Sequence, residues 1–303
     1  MTPEMNLAAK PRPTLKTWVL AARPKTLSAA AAPVAVGTGL AFGEGVGRWL
    51  PALAALLGAT LIQIGTNFTN DYYDFKKGAD THERLGPARV TQSGLIAPAT
   101  VLAAALGCFA LAIASGTYLV TLGGWTVVAI GLASVACGYA YTGGPFPLAY
   151  NGLGDLFVFV FFGFVAVLGT YFVQAGHVSA AAWWAALPVG ALGTGILVAN
   201  NLRDVSTDAK AHKRTLVVRF GVGAGRGEYV ALLALAFVTP VAMLALGLAR
   251  PWALLPLLSL PLALPPLRLV LRAEGGALNP ALGGTARLQM IYSLLFAVGL
   301  FLR

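Results

Sequence analysis

The chain has 303 residues, of which 57% are hydrophobic and only 11% are charged, and its mean hydropathy is +0.75. Soluble domains carry about 25% charged residues, so this composition excludes a soluble globular protein and is typical of a polytopic membrane protein. The net charge of +10 does not indicate nucleic-acid binding, since basic nucleic-acid surfaces accompany a polar surface, whereas membrane proteins concentrate lysine and arginine on their inner side.

Long apolar segments follow one another along most of the chain. A membrane-spanning helix needs about 20 apolar residues. By that measure the chain is predicted to be all-α, with nine transmembrane helices in a single membrane-embedded domain over 1–303, whose first 16 residues form a polar cytoplasmic segment. The predicted spans are 24–43, 50–70, 97–119, 123–142, 153–174, 180–202, 227–249, 252–271 and 286–302.

The distribution of basic residues predicts the orientation in the membrane. With the N-terminus in the cytoplasm, 18 of the 21 lysines and arginines fall on the cytoplasmic side, and Arg48, Arg250 and Arg303 remain outside. Such an excess is typical of cytoplasmic loops. We therefore predict a multi-pass protein of the cell membrane whose N-terminus and Asp-containing loops are cytoplasmic.

A cluster of polar residues follows the second predicted span. On a helix, Asn67, Asp71 and Asp74 share one face because they are spaced i, i+4 and i+7. Carboxylates at the end of an apolar helix need a positive partner, and oxygen ligands suit Mg²⁺, which binds through carboxylates and substrate phosphates. We predict Asp71 and Asp74 as catalytic metal ligands, Asp80 as a further metal ligand and Asn67 as a substrate ligand.

A second cluster repeats this arrangement at the end of the apolar segment 180–199. Asn200, Asp204 and Asp208 are spaced i, i+4 and i+8, again on one helix face. Two such faces opposite each other would hold metal ions around one diphosphate. Asp204 and Asp208 are therefore predicted as catalytic metal ligands, and Asn200 as a substrate ligand.

Basic residues in the same loops are candidates for binding that diphosphate. Guanidinium and ammonium groups pair with phosphate oxygens. Arg89 lies in the loop after the first cluster, and Lys213 and Arg214 lie in the loop after the second. All three are predicted to bind the substrate.

The connection at 139–155 contains three tyrosines and one carboxylate but no basic residue. Tyrosine faces stabilise a cation that develops above them. Tyr139 and Asp155 are therefore candidate catalytic residues, and Tyr141 is a candidate substrate-binding residue. An aromatic belt at the membrane interface is the alternative explanation of these tyrosines.

The two Asp clusters and the apolar interior beside them together indicate a substrate that is part diphosphate and part lipid. Polyprenyl diphosphate is the plainest example of such a substrate. A nucleotide is not indicated, because the sequence contains no nucleotide-binding P-loop motif. Metal ions would draw off the diphosphate and leave an allylic cation for an electron-rich acceptor.

These motifs resemble those of the UbiA superfamily of membrane prenyltransferases over about residues 15–303. The resemblance rests on the motifs at 23–27, 70–80, 86–94, 141–145, 152–155, 200–204 and 213–216. Within the superfamily, the sequence is similar to the branch that uses 1,4-dihydroxy-2-naphthoate in menaquinone biosynthesis. The resemblance implies an all-helical fold of nine spans around a central cavity, Mg²⁺ dependence, transfer of a polyprenyl group to that acceptor, and loss of the acceptor's carboxylate as CO₂ to give demethylmenaquinone.

Two alternatives remain open. One is another acceptor within the superfamily, 4-hydroxybenzoate or homogentisate. The other is an ion transporter, whose acidic residues would be expected near the middle of the bilayer rather than crowded at one face.

Overall fold

The computed structural model describes residues 13–79 and 85–302, which fold into helices joined by short loops and contain no β-strand. The helices, in chain order, are α1 Leu15–Ala22, α2 Pro24–Gly43, α3 Trp49–Lys76, α4 Pro98–Ala140, α5 Gly154–Ala175, α6 Ala180–Arg203, α7 Val205–Lys210, α8 Leu216–Phe220, α9 Val222–Ala245, α10 Pro251–Arg272 and α11 Asn279–Phe301. Helix α5 is π-helical over Phe159–Val165, and α10 begins as a 3₁₀-helix over Pro251–Ser259.

Eight of these helices are long and apolar enough to cross a membrane, within the described part of the chain: α2, α3, α4, α5, α6, α9, α10 and α11. The predicted all-α membrane fold is thereby confirmed. Each predicted span overlaps one of these helices, but the spans at 97–119 and 123–142 form one element, α4. The count of nine spans stays a prediction.

Helix α4 is two arms joined at a break. Its 43 residues would extend about 65 Å as one straight helix, twice the roughly 30 Å hydrocarbon core. The backbone leaves the helical region at Gly124, where φ is 55° and ψ is −141°. Leu119 and Val127, on either side of the break, pack together with Val173 of α5. The arms therefore fold back on each other around Gly124.

Small residues let the helices approach closely, as in other membrane bundles. A β-carbon built on Gly163 of α5 would lie 2.9 Å from the Cα atom of Gly190 in α6. One built on Gly39 of α2 would lie 2.3 Å from the carbonyl oxygen of Ala297 in α11. These two helix pairs are thus in backbone contact, and α6 lies at the centre of the main core cluster.

The C-terminal ends of α3 and α6 lie at the same end of the bundle. Asp74 near the end of α3 and Asp204 just after α6 both line one cavity. We call this the polar end, and the opposite end, where α4 breaks at Gly124, the far end.

Candidate active site

Asp74 lies at the polar end, where it meets a basic and an aromatic side chain. It is 6% exposed. Arg89 donates to its Oδ2 over 3.1 Å, and the Tyr150 hydroxyl donates to its Oδ1 over 2.9 Å. Asp74 and Arg89 both line the cavity, so Arg89 lies on the first Asp cluster, and its diphosphate-binding role stays a prediction.

The face of α3 that borders the cavity differs from the predicted face of Asn67, Asp71 and Asp74 by a rotation about the helix axis. Asn67, Asn70 and Asp74 line the cavity, and Asp71 does not. At about 100° per residue, Asp71 points roughly 60° away from Asp74 around the helix. The cavity lies on the other side of Asp74, toward Asn70, a residue that the spacing argument did not select.

Asp71 holds the loop instead. It is 1% exposed, and its two carboxylate oxygens accept the backbone N–H groups of Val90 and Thr91, each over 3.2 Å. Val90 directly follows Arg89, so this contact positions the arginine that reaches Asp74. The metal role predicted for Asp71 stays a prediction, and the geometry favours an anchoring role.

An Asp71→Asn variant distinguishes the two roles. If Asp71 anchors the loop, losing one charged hydrogen-bond acceptor is expected to raise KM for the prenyl diphosphate about 10-fold while kcat falls much less. If Asp71 is a metal ligand, kcat falls instead by about 10²–10³-fold. Steady-state kinetics with Asp74→Asn measured in parallel separates these outcomes.

The second cluster faces the same cavity with all three predicted side chains, Asn200, Asp204 and Asp208. The Arg203 guanidinium donates two hydrogen bonds to the Asp204 carboxylate, from Nε to Oδ1 over 2.7 Å and from Nη2 to Oδ2 over 2.5 Å. Neighbouring residues on a regular helix do not face each other. The pairing is possible because α6 ends at Asp204, whose φ and ψ are −95° and 8°.

Arg203 is a site residue that the sequence argument did not select. It is buried, with 2% of its surface exposed. It also donates to the side-chain oxygens of Asn200, over 2.8 Å, and of Asn279, over 3.0 Å. Asn279 in turn donates to the Leu85 carbonyl over 2.8 Å. Arg203 therefore connects the second cluster to α11 and to the loop after α3.

Lys213 lies between the two clusters. Its Nζ is 3.5 Å from Oδ1 of Asp208. Burial by itself would lower the pKa of Lys213, but the charges of Asp208, Asp74 and Asp204 raise it above its ordinary value. Lys213 lines the same cavity as Asp74, Asp204 and Asp208, so this ammonium group lies near carboxylates of both clusters.

Asp208 has an oxygen available for a ligand. Burial, against the opposing effect of Lys213, raises the pKa of Asp208 to about 6. Its Oδ2 atom is buried and accepts no hydrogen bond from the described residues. An unsatisfied buried carboxylate oxygen is costly, so the site favours a cation or a donor group at this position.

Tyr150 is a further residue that the sequence argument did not select. Two ammonium groups lie near its ring, with Lys77 Nζ 4.4 Å and Lys213 Nζ 5.8 Å from the ring centroid. Burial lowers the pKa of Lys77, and its Nζ donates to the Thr142 carbonyl over 2.6 Å. Tyr150 thereby links both cationic side chains to Asp74.

The remaining predicted residues are divided between the cavity and its surroundings. Tyr141 lines the cavity, whereas Tyr139, whose hydroxyl is hydrogen-bonded to Tyr73, does not. Asp155 is buried off the cavity and accepts from Asn201 over 3.3 Å. Their predicted catalytic and binding roles stay predictions.

Arg214 is exposed and lies outside the cavity, where its backbone N–H donates to the Tyr150 carbonyl over 3.0 Å. Asp80, the further predicted metal ligand, lies outside the residues that the structure describes. The described geometry therefore supports Arg89 and Lys213 as the diphosphate-binding pair more directly than Arg214.

The cavity itself extends from these polar groups through the apolar bundle and has a volume of about 660 Å³. Toward the far end its walls carry small and aliphatic side chains from α3, α4 and α5. Among them are Ala55, Gly58, Ala59, Gly116, Val120, Val127, Gly131, Ala166, Gly169 and Val173. The cavity therefore combines charged side chains at the polar end with an apolar space toward the far end.

Mg²⁺ fits the chemistry of the donor set. In the described ranges no three Asp, Glu, His or Cys side chains come close enough to enclose a metal ion by themselves. Asp74, Asp204 and Asp208 each have a basic partner. Since Mg²⁺ usually takes one or two carboxylates and completes its shell with substrate phosphates and water, these separate carboxylates suit it.

Comparison with known sequences decides the family. The model of the UbiA prenyltransferase family matches residues 30–294. This chain belongs to the UbiA prenyltransferase family. The resemblance predicted from the two Asp motifs is thereby confirmed.

Several curated relatives within the UbiA family are similar over almost their whole length. The 1,4-dihydroxy-2-naphthoate octaprenyltransferase of Mycobacterium tuberculosis is 43% identical, over 92% of this chain and 95% of that protein. The enzymes of the same name from Escherichia coli and Bacillus subtilis are 37% and 34% identical, over 95% and 94% of this chain and 96% and 92% of those proteins.

Solved UbiA structures share the fold at low sequence identity. A UbiA homolog from Aeropyrum pernix K1 has a TM-score of 0.69 and 14% identity, with 88% of this chain and 94% of that chain covered. A UbiA homolog from Archaeoglobus fulgidus, bound to DMAPP and Mg²⁺, has a TM-score of 0.59 and 16% identity, with 93% and 99% covered. The all-helical architecture is therefore that of UbiA proteins.

Proposed function

We propose that this protein transfers a polyprenyl group from polyprenyl diphosphate to 1,4-dihydroxy-2-naphthoate, with loss of the acceptor's carboxylate as CO₂, at the cytoplasmic face of the cell membrane. The observation that carries the proposal is the cavity that joins Asp74, Asp208 and Lys213 to a long apolar space. Identities of 33–43% to proteins named as 1,4-dihydroxy-2-naphthoate octaprenyltransferases support the choice of acceptor.

Binding of the donor is assigned to groups of both signs. Arg89 and Lys213 neutralise the diphosphate, and Asp74, Asp204 and Asp208 would hold Mg²⁺, with Asn67 and Asn200 as neutral partners. When bound, Mg²⁺ supplies positive charge that stabilises the departing diphosphate. Arg203 fixes the orientation of Asp204, and Tyr150 fixes that of Asp74.

The reaction breaks the C1–O bond of the donor and the bond between the acceptor ring and its carboxylate, and it forms one carbon–carbon bond between donor and acceptor. Diphosphate leaves with the electron pair of the C1–O bond, and the allylic carbon that remains is attacked by the electron-rich ring of the acceptor. The carboxylate of the ring leaves as CO₂, and its bonding electrons restore the aromatic system. Tyr141 lines the cavity, and we assign its ring to stabilise the developing positive charge.

A panel of acceptors tests the proposal. Purified protein in lipid nanodiscs is incubated with Mg²⁺, octaprenyl diphosphate and one of 1,4-dihydroxy-2-naphthoate, 4-hydroxybenzoate or homogentisate, and the products are identified by mass. We expect a product only with the naphthoate, with the mass of the prenylated, decarboxylated ring.

Prenylation of another acceptor, or a naphthoate product that keeps its carboxylate, would overturn the corresponding part of the proposal. No product with any acceptor, combined with cation flux into proteoliposomes, would favour a transporter instead. Asp74→Asn protein provides the background rate for each acceptor.

A further inference from the structure

Two loops that supply side chains to the polar end lie against each other. The tyrosine loop, residues 141–153, carries Tyr150, and the lysine loop, residues 211–215, carries Lys213. These two side chains contact the first and the second Asp cluster, respectively. The backbone N–H of Arg214 donates to the Tyr150 carbonyl over 3.0 Å. One hydrogen bond contributes only about 1 kcal/mol, so a fixed arrangement of the loops needs further contacts.

Arg219 of α8 supplies two such contacts. Its Nε donates to the Arg214 carbonyl of the lysine loop over 3.1 Å, and its Nη2 donates to the Asn151 carbonyl of the tyrosine loop over 2.8 Å. A guanidinium presents its donors in a rigid planar fork, so one side chain holds both carbonyls at a set separation. We call these two hydrogen bonds the Arg219 bridge.

Gly152 makes room for the Arg219 bridge. Its φ of 74° lies in the left-handed region that favours glycine. A β-carbon built on it would lie 2.9 Å from the carbonyl oxygen of Arg214 and 3.0 Å from Nε of Arg219. A larger residue would therefore displace a donor or an acceptor of the bridge.

Helix α8 holds the backbone of Arg219 in place. Its first turn is capped by Thr215, whose hydroxyl accepts the N–H of Val218 over 3.3 Å. Val217 is 1% exposed, and a β-carbon built on Gly225 of α9 would lie 2.7 Å from its Cγ2 atom. Because α8 is packed this closely against α9, Arg219 reaches the two loops from a fixed position.

Two other roles for Arg219 are less favoured by these contacts. It does not line the cavity, as far as the described residues define it, so direct binding of the diphosphate is not indicated. A charge that served only to orient the protein in the membrane would not need two directed hydrogen bonds, or a glycine fitted against it. The contacts instead favour a role in the arrangement of the loops.

We propose that Arg219 is a positioning residue that joins the tyrosine loop to the lysine loop, so that Tyr150 and Lys213 are in place at the two Asp clusters before the prenyl diphosphate binds. This inference rests on the proposed function. Loops that are already fixed lose less conformational freedom when a substrate binds. The Arg219 bridge therefore contributes to affinity for the donor rather than to the bond-breaking step.

The first test is steady-state kinetics in nanodiscs. Arg219→Met is expected to raise KM for octaprenyl diphosphate about 10-fold with little change in kcat. Arg219→Lys should recover part of this loss, because lysine keeps the charge and a donor but lacks the planar fork. Arg268→Met is the matched control, since Arg268 is an exposed arginine of α10 outside the cavity. An unchanged KM in Arg219→Met, or the same increase in Arg268→Met, would overturn the proposal.

A double-mutant cycle separates positioning from general damage to the fold. In Lys213→Met protein one of the groups that the bridge positions is absent. Adding Arg219→Met to that variant is therefore expected to lower kcat/KM by a much smaller factor than it does in the wild type. Independent structural damage would multiply the two losses in full, and that result would contradict a positioning role.

A second measurement does not depend on turnover. Hydrogen–deuterium exchange is followed by mass spectrometry in peptides from residues 141–153 and 211–215. Both loops are expected to exchange faster in Arg219→Met and in Gly152→Ala than in the wild type, and at the wild-type rate in Arg268→Met. Unchanged exchange of either loop in both variants would overturn the bridge. If the wild type transfers no prenyl group, the proposed function fails, while the exchange rates still decide whether Arg219 joins the loops.

Discussion

Asp74→Asn and Asp208→Asn are each expected to lower kcat/KM by about 10²–10³-fold. Each change removes one negative charge from the cavity, Asp74→Asn from the first Asp cluster and Asp208→Asn from the second. Asp74 also aligns Arg89 and Tyr150, and Asp208 carries the buried oxygen that accepts no hydrogen bond from the described residues. Prenyl transfer by purified variants at saturating Mg²⁺ measures the effect.

The matched control is Glu274→Gln, because Glu274 is an acid whose side chain is 81% exposed and lies outside the cavity. It is expected to react at the wild-type rate. If Asp74→Asn or Asp208→Asn is correctly inserted and reacts at the wild-type rate, that residue has no role in prenyl transfer.

Arg203→Met is expected to destabilise the protein by about 3–5 kcal/mol. The guanidinium is 2% exposed and is hydrogen-bonded to Asp204, Asn200 and Asn279. Replacing it leaves the Asp204 carboxylate, which is 9% exposed, without its buried counter-ion. Thermal unfolding in detergent should show a lower Tm, and the activity of the remaining folded protein should fall because Asp204 loses its fixed orientation.

Arg287→Met controls for the loss of an arginine, since Arg287 is exposed on α11. Its Tm should match that of the wild type. Arg203→Lys should lie between wild type and Arg203→Met, because a lysine keeps the charge but cannot bind both carboxylate oxygens. A wild-type Tm for Arg203→Met would show that the ion pair contributes nothing to stability.

The helical membrane fold could be predicted because bilayer spans are encoded locally, in the length and polarity of each segment. The convergence of the two Asp clusters was also predictable, since each closes an apolar helix and unpartnered acids there are costly. Periodicity places residues on a face to within about one helical position. It therefore selected Asp74 and Asp208, which line the cavity, but could not tell that Asn70 lines it and Asp71 does not.

The features of the site that could not be predicted from the sequence depend on contacts between distant segments. Nothing in the residues around Tyr150 indicates that both Lys77 and Lys213 will lie within 6 Å of its ring centroid. Arg203 was counted as one of many inner-side charges, and its hydrogen bond to Asn279 joins residues that are 76 positions apart in the chain.

The central claim, that both Asp clusters hold one Mg²⁺-diphosphate, is tested most directly by metal binding. Mn²⁺ replaces Mg²⁺, and its binding is followed by electron paramagnetic resonance with and without geranyl thiolodiphosphate, an unreactive donor analogue. We predict tight Mn²⁺ binding only with the analogue present, weakened at least about 10-fold by Asp74→Asn and equally by Asp208→Asn. Binding that needs no analogue, or that responds to only one of the two substitutions, would contradict a shared site.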